Sequence, residues 1–416
     1  MSNPAKQRRV VITGIGATTP IGHDVHSSVS AIREGRHGIR PMPEWDHISD
    51  LQGRLGSTVE GLDLKKHYPR KRRRTMGPVA LFAVHATEQA VAQAGLDLDS
   101  LKSERVGVSF GSTSGSGSET EKFSMPVVTD HSMKGLESNA YFRLMTHTCA
   151  VNVAQFFGVK GRIASTCTAC TSGSQGIGTA YELIQGGIQD VMLCGGAEEM
   201  HYMSAVTFDL LMATSTKYND RPDMSPRPFD ADRDGLVIGE GAGAFVLESL
   251  EHAEARGATI LAELCGYASN CDGAHLTAPR EEGMQRVMQL ALEDAGIGAD
   301  MIDYVCGHGT ATEIGDIAES RATAAVFGRK VPFASLKGYV GHTLGACGAM
   351  EGAWCVAMLQ GGFLLPGRNL ETVDPRCGEL DYVTEVRETA PRFVMNNNFA
   401  FGGINTSMVL GPAPSR

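Results

Sequence analysis

The stretch Ala164-Ser-Thr-Cys167-Thr-Ala-Cys170-Thr-Ser-Gly173-Ser-Gln-Gly176-Ile-Gly178 places a thiol where a strand turns into a helix. Gly161-Arg-Ile-Ala leads in as a short apolar run. Ile177, Ala180, Tyr181 and Ile184 then follow at helical spacing until Gly186-Gly187 close the pattern. At a helix start the unpaired N–H groups and the dipole favour a thiolate over a thiol. The neighbours Ala169, Thr171, Ser172 and Gly173 are small and leave room for a bulky acyl group on the sulfur. The pattern predicts a nucleophile, with Cys170 accepting an acyl group. Cys167-Thr-Ala-Cys170 also spells C-x-x-C, which redox pairs and half metal sites share. The remaining cysteines are scattered singly, which disfavours zinc and leaves the redox pair open.

A nucleophile of this kind needs bases and oxyanion donors. Of thirteen histidines, two stand in glycine-rich turns at predicted strand ends, in Tyr304-Val-Cys-Gly-His308-Gly-Thr310-Ala-Thr312 and in Ser335-Leu-Lys337-Gly-Tyr-Val-Gly341-His342-Thr-Leu-Gly345. Small neighbours let both imidazoles face a cleft. Near the C-terminus, Asn398-Phe-Ala400-Phe401-Gly402-Gly403 can aim a backbone N–H into a pocket and swing an aromatic ring across its mouth.

The elements that must position these residues alternate between strand and helix. Arg9 to Gly16 reads as a buried strand ending in a glycine turn; Pro20 stands where a dinucleotide-binding helix would start, so a nicotinamide site is disfavoured. A helix is predicted over 78–94, a strand over 105–110, a loop over 111–118, a helix over 139–157 and a strand over 190–194 that stops at Gly195-Gly196. Near residue 251 the chain starts again, with strands over 259–267 and 302–306 and helices over 282–295 and 316–327. The alternation predicts an α/β fold whose halves, 1–250 with the nucleophile and 251–416 with the histidines, pack as one body.

Composition narrows the function. A net charge of −10 argues against nucleic-acid binding, and no apolar run approaches membrane-spanning length. Ten cysteines without an export signal suggest reduced thiols and a cytoplasmic protein. On this acidic background Arg70-Lys71-Arg-Arg-Arg74 is an unbroken run of five cations that could dock an acidic partner or merely be solvated.

At these residues the chain resembles the β-ketoacyl-acyl-carrier-protein synthases, the elongating synthase I/II branch of the thiolase superfamily. The matches are T-A-C-T-S-G at 168–173, H-G-T-x-T at 308–312, K-x-x-x-G-H at 337–342 and F-x-F-G-G-x-N at 399–405, supported by S-T-K-Y-N-D at 215–220 and D-x-x-R-D-G at 230–235. The resemblance implies a five-layered αβαβα thiolase-like fold of two similar halves. It also implies acyl transfer onto Cys170, followed by decarboxylative Claisen condensation with malonyl-acyl carrier protein in fatty-acid elongation. By the same resemblance His308 and His342 would assist decarboxylation, with Lys337 and Glu351 as supporting charges. Thr310, Thr312 and Gly402 would bind the phosphopantetheine arm, Phe401 would be the gate, and Arg70, Lys71 and Arg74 would dock the carrier. The partners implied are acyl carrier protein and a second copy in a homodimer, or a related subunit in a heterodimer; neither metal nor cofactor is implied. The alternative is a ketosynthase of a type II polyketide or aryl polyene pathway working with a partner subunit. One departure stands out. Ala400 replaces the first glycine of the family's F-G-F-G-G, adding a Cβ at the gate and leaving chain-length preference open.

Overall fold

The unbroken apolar run after Arg9 forms a strand, Val10–Thr18, buried along its whole length in the computed structural model, which describes residues 8–414. From it the first half of the sheet runs outward through Gly241–Ser249, Val191–Glu198, Val106–Gly111 and Ile163–Thr166. The first two pairings are antiparallel and the next two parallel. The second half repeats this order from Ala262–Cys271 through Ile404–Gly411, Val394–Ala400, Tyr304–Cys306 and Pro332–Ala334, again with two antiparallel and then two parallel pairings. Val10–Ile12 pairs with Ala262–Leu264, and this short seam joins the halves.

Five layers result, as the resemblance implies. Helices Ser172–Gln185 and Cys347–Gly361 lie in the middle and touch strands of both halves. Helices Pro78–Ala94 and Thr148–Phe157 cover the outside of the first half, and Glu281–Ala295 with Glu313–Phe327 cover the second. Three large apolar clusters correspond to these interfaces: one around the central helices and one under each outer pair.

Several predicted boundaries shift. The strand expected to stop before Gly195-Gly196 runs through both to Glu198. A Cβ at residue 196 would lie 2.4 Å from the Gly345 carbonyl oxygen, so glycine here permits close layering rather than a turn. The segment 139–157 divides into Ala140–Leu144 and Thr148–Phe157. The loop after Gly111 is shorter than expected, because the Ser116 hydroxyl caps a helix over Gly117–Thr129. The second-half strands begin later, at Ala262 and Tyr304, and the helix expected at 316 begins at Glu313.

Candidate active site

Cys170 sits between the strand Ile163–Thr166 and the helix Ser172–Gln185, as expected. Side chains fix its turn. The Ser172 hydroxyl accepts from the Thr168 N–H at 2.9 Å and donates to the Ala169 carbonyl at 2.6 Å, while Ala169 takes a left-handed φ of 50°. Gly173 lets the turn press against a neighbour, since a Cβ there would stand 2.6 Å from the Gly345 carbonyl oxygen. That neighbour is the turn carrying His342, and its Nε2 lies 2.9 Å from the Cys170 sulfur.

Burial overturns the expectation of a thiolate. The Cys170 thiol is pushed up to about 12, first by burial and further by the Glu198 carboxylate. The Lys337 ammonium and the backbone N–H groups of Cys170 and Phe401 oppose the shift without cancelling it. The sulfur is therefore a protonated thiol hydrogen-bonded to an imidazole. His342 is held neutral, well below the usual imidazole range, by burial and by Lys337. His308 is lowered in the same way by burial, Lys337 and His342.

The second histidine arrives on the loop after Tyr304–Cys306. Its backbone N–H donates to Glu319 Oε1 at 2.5 Å, and the Gly309 N–H donates to Oε2 at 2.7 Å. The two imidazoles stand edge to face with ring centres 5.0 Å apart. Behind them Lys337 Nζ lies 2.5 Å from Glu351 Oε1, both side chains almost wholly buried, and Asn398 donates to Glu351 Oε2 at 2.8 Å. Burial works against the lysine's charge, but Glu351 more than restores it and raises Lys337 above its usual range.

Cys170, His308, His342, Thr310, Thr312 and Phe401 line one cavity of about 330 Å³. The two threonine hydroxyls are 3.0 Å apart. Phe401 faces Phe208, with ring centres 6.0 Å apart. Gly402 does not line the cavity; its φ is 92° and its N–H donates to the Leu276 carbonyl at 2.7 Å, tying two mouth loops together. The predicted cationic block forms one exposed turn, Arg70–Arg73, outside the cavity, with the Arg72 guanidinium over the Phe156 ring.

Cys170 Sγ and one nitrogen of each imidazole lie within 4.8 Å of one another, which raises the question of a metal. Ligands of tetrahedral zinc, at about 2.3 Å for sulfur and 2.0–2.1 Å for nitrogen, stand roughly 3.5 Å apart. The 2.9 Å sulfur–nitrogen contact is the length of a hydrogen bond, and the set reads as nucleophile and bases.

Sequence reasoning missed the residues that hold this site. Glu319 clamps the His308 loop, and Asp316 accepts from the N–H groups of Phe229 at 2.7 Å and Ala311 at 3.1 Å. Arg233, within the quoted D-x-x-R-D-G, donates to Asp374 at 2.7 Å and to the Glu313 carbonyl at 2.9 Å, fastening the threonine loop. The available signal was two acids three apart on one face of a helix that also buries Ala322 and Phe327.

Comparison with known proteins agrees with the site. The family described as β-ketoacyl synthase matches with its N-terminal domain over residues 7–253 and its C-terminal domain over 261–371. The chain is 38% identical over 407 residues to 3-oxoacyl-[acyl-carrier-protein] synthase 1 of Escherichia coli (strain K12), covering 97% of this chain and 98% of that one. A β-ketoacyl synthase from Burkholderia phymatum STM815, solved as a crystal structure, superposes with a TM-score of 0.95 at 50% identity, covering 98% of this chain and 100% of the other. The ketosynthase AntDE, solved with the type II polyketide carrier AntF, superposes with a TM-score of 0.89 at 30% identity, covering 98% of this chain and 100% of that one. A buried Cys-His-His cavity on a duplicated α/β scaffold, matched over nearly the full length, makes this chain a member of the β-ketoacyl synthase family.

Proposed function

We propose that the protein is a β-ketoacyl-acyl-carrier-protein synthase of fatty-acid elongation. The observation that carries this reading is the 2.9 Å contact between Cys170 Sγ and His342 Nε2, in a cavity that His308 also faces. The thiol passes its proton to His342 as sulfur attacks an acyl thioester, and His342 returns it to the departing pantetheine thiolate. Backbone N–H groups of Cys170 and Phe401, which both favour negative charge at the sulfur, hold the carbonyl oxygen as it becomes an oxyanion. A malonyl thioester then loses carbon dioxide. Its enolate oxygen is stabilised by His308 and His342, the enolate carbon attacks the acyl carbonyl, and Cys170 leaves as a thiolate that takes up a proton from solvent to restore the resting thiol. Lys337 and Glu351 set the electrostatics behind the histidines, Thr310 and Thr312 bind the pantetheine arm, Gly402 shapes the mouth and Phe401 gates it. The name of the Escherichia coli relative supports this reading over the polyketide alternative.

Incubating the protein with a ladder of acyl-carriers plus malonyl-carrier and weighing the products tests the reading. Chains longer by two carbons are expected, with none from Cys170→Ala. His308→Ala and His342→Ala should each lose about 10²–10³ in decarboxylation rate while still accepting some acyl group. Products of unchanged length from the native protein would reject the assignment.

Arg70, Lys71 and Arg74 dock the acidic carrier. Lys71→Glu/Arg74→Glu should raise KM for acyl-carrier steeply at low salt and little for a small thioester mimic, because steering is screened over about 10 Å at 0.1 M. Equal losses with both substrates would remove the docking role.

The protein pairs with a second copy of itself through the sheet edge at Ile163–Thr166. That strand is partly exposed along its length, and the same half of the chain exposes Phe123, Met125, Val128 and Tyr141. Light scattering at twice the chain mass tests this. We further divide the chain near residue 250 into a nucleophile half and a histidine half, supported by family matches ending at 253 and resuming at 261. Ten free cysteines support a reducing, cytoplasmic setting; among the described residues no helix is long and apolar enough to cross a membrane.

A further inference from the structure

Strand Val191–Glu198 ends beneath the active site in a carboxylate that the mechanism above does not use. Glu198 is 2% exposed and has no cation within ion-pair reach among the described residues. Its partners are hydrogen-bond donors from two separate segments. Oε1 accepts from the Ser112 hydroxyl at 3.1 Å; Oε2 accepts from the Thr113 N–H at 2.8 Å and from the Gly345 N–H at 2.9 Å.

Each segment leads to a reacting group. The Thr113 hydroxyl donates to the carbonyl of Ala169, the residue before the nucleophile, at 3.3 Å, and the Cys167 thiol donates to the Thr113 carbonyl at 3.1 Å. Gly345 lies three residues after His342, and a Cβ there would come 2.6 Å from Glu198 Oε2, so the carboxylate and the bare glycine backbone fit only together. Among the described residues, Glu198 is thus the one side chain that bonds to both the loop supporting the Cys170 turn and the turn of His342.

We propose that Glu198 is a positioning residue that locks the Cys170 turn to the His342 turn and so sets the sulfur–imidazole contact. The inference rests on the roles given above to Cys170 and His342. What the site needs from residue 198 is acceptor oxygens at a fixed depth, not a charge. Thr113 and Gly345 share one oxygen, which the oxygen of a glutamine side chain can supply while its NH₂ donates to the Ser112 hydroxyl. The charge itself works against the nucleophile, because Glu198 helps hold the Cys170 thiol high. Aspartate keeps the charge but withdraws the oxygens by one methylene, leaving buried N–H groups unpaired. Misplacement of about 1 Å near reacting atoms can cost on the order of 10²-fold in rate.

Glu198→Gln and Glu198→Asp separate the two roles, measured in the full-length protein as single-turnover acylation of Cys170 from an acyl-carrier and as steady-state kcat and KM. We expect Glu198→Gln to stay within about threefold of native and Glu198→Asp to lose tenfold or more in kcat with KM little changed. The rate of Cys170 alkylation by iodoacetamide at pH 8.5, above the value of about 7 to which burial raises Glu198, should rise in Glu198→Gln, because a repelling charge is gone. Native-like kcat in Glu198→Asp, or a greater loss in Glu198→Gln than in Glu198→Asp, overturns the proposal. Native protein that fails to acylate Cys170 would instead overturn the assignment of the nucleophile.

Discussion

The sulfur of Cys170 and Nε2 of His342 lie 2.9 Å apart with both side chains buried, and neither group carries a charge at rest. Burial lifts the thiol to about 12 and keeps the imidazole below its usual range. The pair therefore stays as thiol and neutral imidazole until an acyl thioester arrives.

Alkylation of Cys170 by iodoacetamide should then climb about tenfold per pH unit between pH 7 and 9 without levelling, since the thiolate fraction grows that way far below its titration point. Peptide mapping distinguishes Cys170 from exposed Cys167. A plateau reached near pH 6–7 would show an ion pair of thiolate and imidazolium instead.

The ion pair of Lys337 and Glu351 has almost no solvent to fall back on. Lys337→Met should destabilise the protein by about 3–5 kcal/mol, because it strands a buried carboxylate. Lys337→Met/Glu351→Leu should recover most of that loss. Urea unfolding of the native, single and double variants measures the coupling; a double variant as weak as the single would show that packing, not charge, dominates.

Glu319 is pushed up to about 8, by burial foremost, against the opposing N–H groups of Gly309 and His308. The unfolded carboxyl titrates near 4.3. A folded value above the unfolded one adds stability that is fully present below about pH 4 and lost as pH rises through about 8. The melting temperature should accordingly decline from pH 5 to 8.5, and Glu319→Gln should flatten that slope. Glu198 and Glu240, each raised to about 7 by burial, keep a remainder of the slope in the variant. A Glu319→Gln profile parallel to the native one would reject the titration.

The positive backbone angles at the mouth fall on Gly402 and Gly403, at 92° and 72°, while Ala400 closes its strand opposite Ile404. Ala400→Gly should leave the acyl-length profile of single-turnover acylation unchanged and cost about 0.5–1 kcal/mol in stability. Gly402→Ala, forced into a left-handed angle, should slow acylation for every length. A length-dependent gain in Ala400→Gly would show that the alanine restrains the gate.

Cys170, His308 and His342 were legible because small residues around a reactive one form a local pattern, and their order along the chain matched one chemistry. Glu319 was not. An acid on a helix reads as solvent-facing, and only the return of the His308 loop above it makes it a buried acceptor. The protonation of Cys170 was misread for a related reason: helix-start N–H groups are local, whereas the burial that outweighs them comes from distant parts of the chain packed over the sulfur, the His342 turn 172 positions away among them. Gly195 and Gly196 read as a turn, since nothing nearby in the chain announces the Gly243 backbone that presses on the first and the Gly345 backbone that presses on the second.

The repeated strand order has a consequence for how such a centre arises and fails. Cys170 follows the outermost strand of the first run, Ile163–Thr166, and Lys337 and His342 follow its counterpart in the second, Pro332–Ala334. Nucleophile and base are thus the same address in two copies of one pattern, brought face to face. A single copy holds half a reaction. The sulfur–imidazole contact exists only where both copies are folded against each other, so it doubles as a certificate that the whole chain has folded.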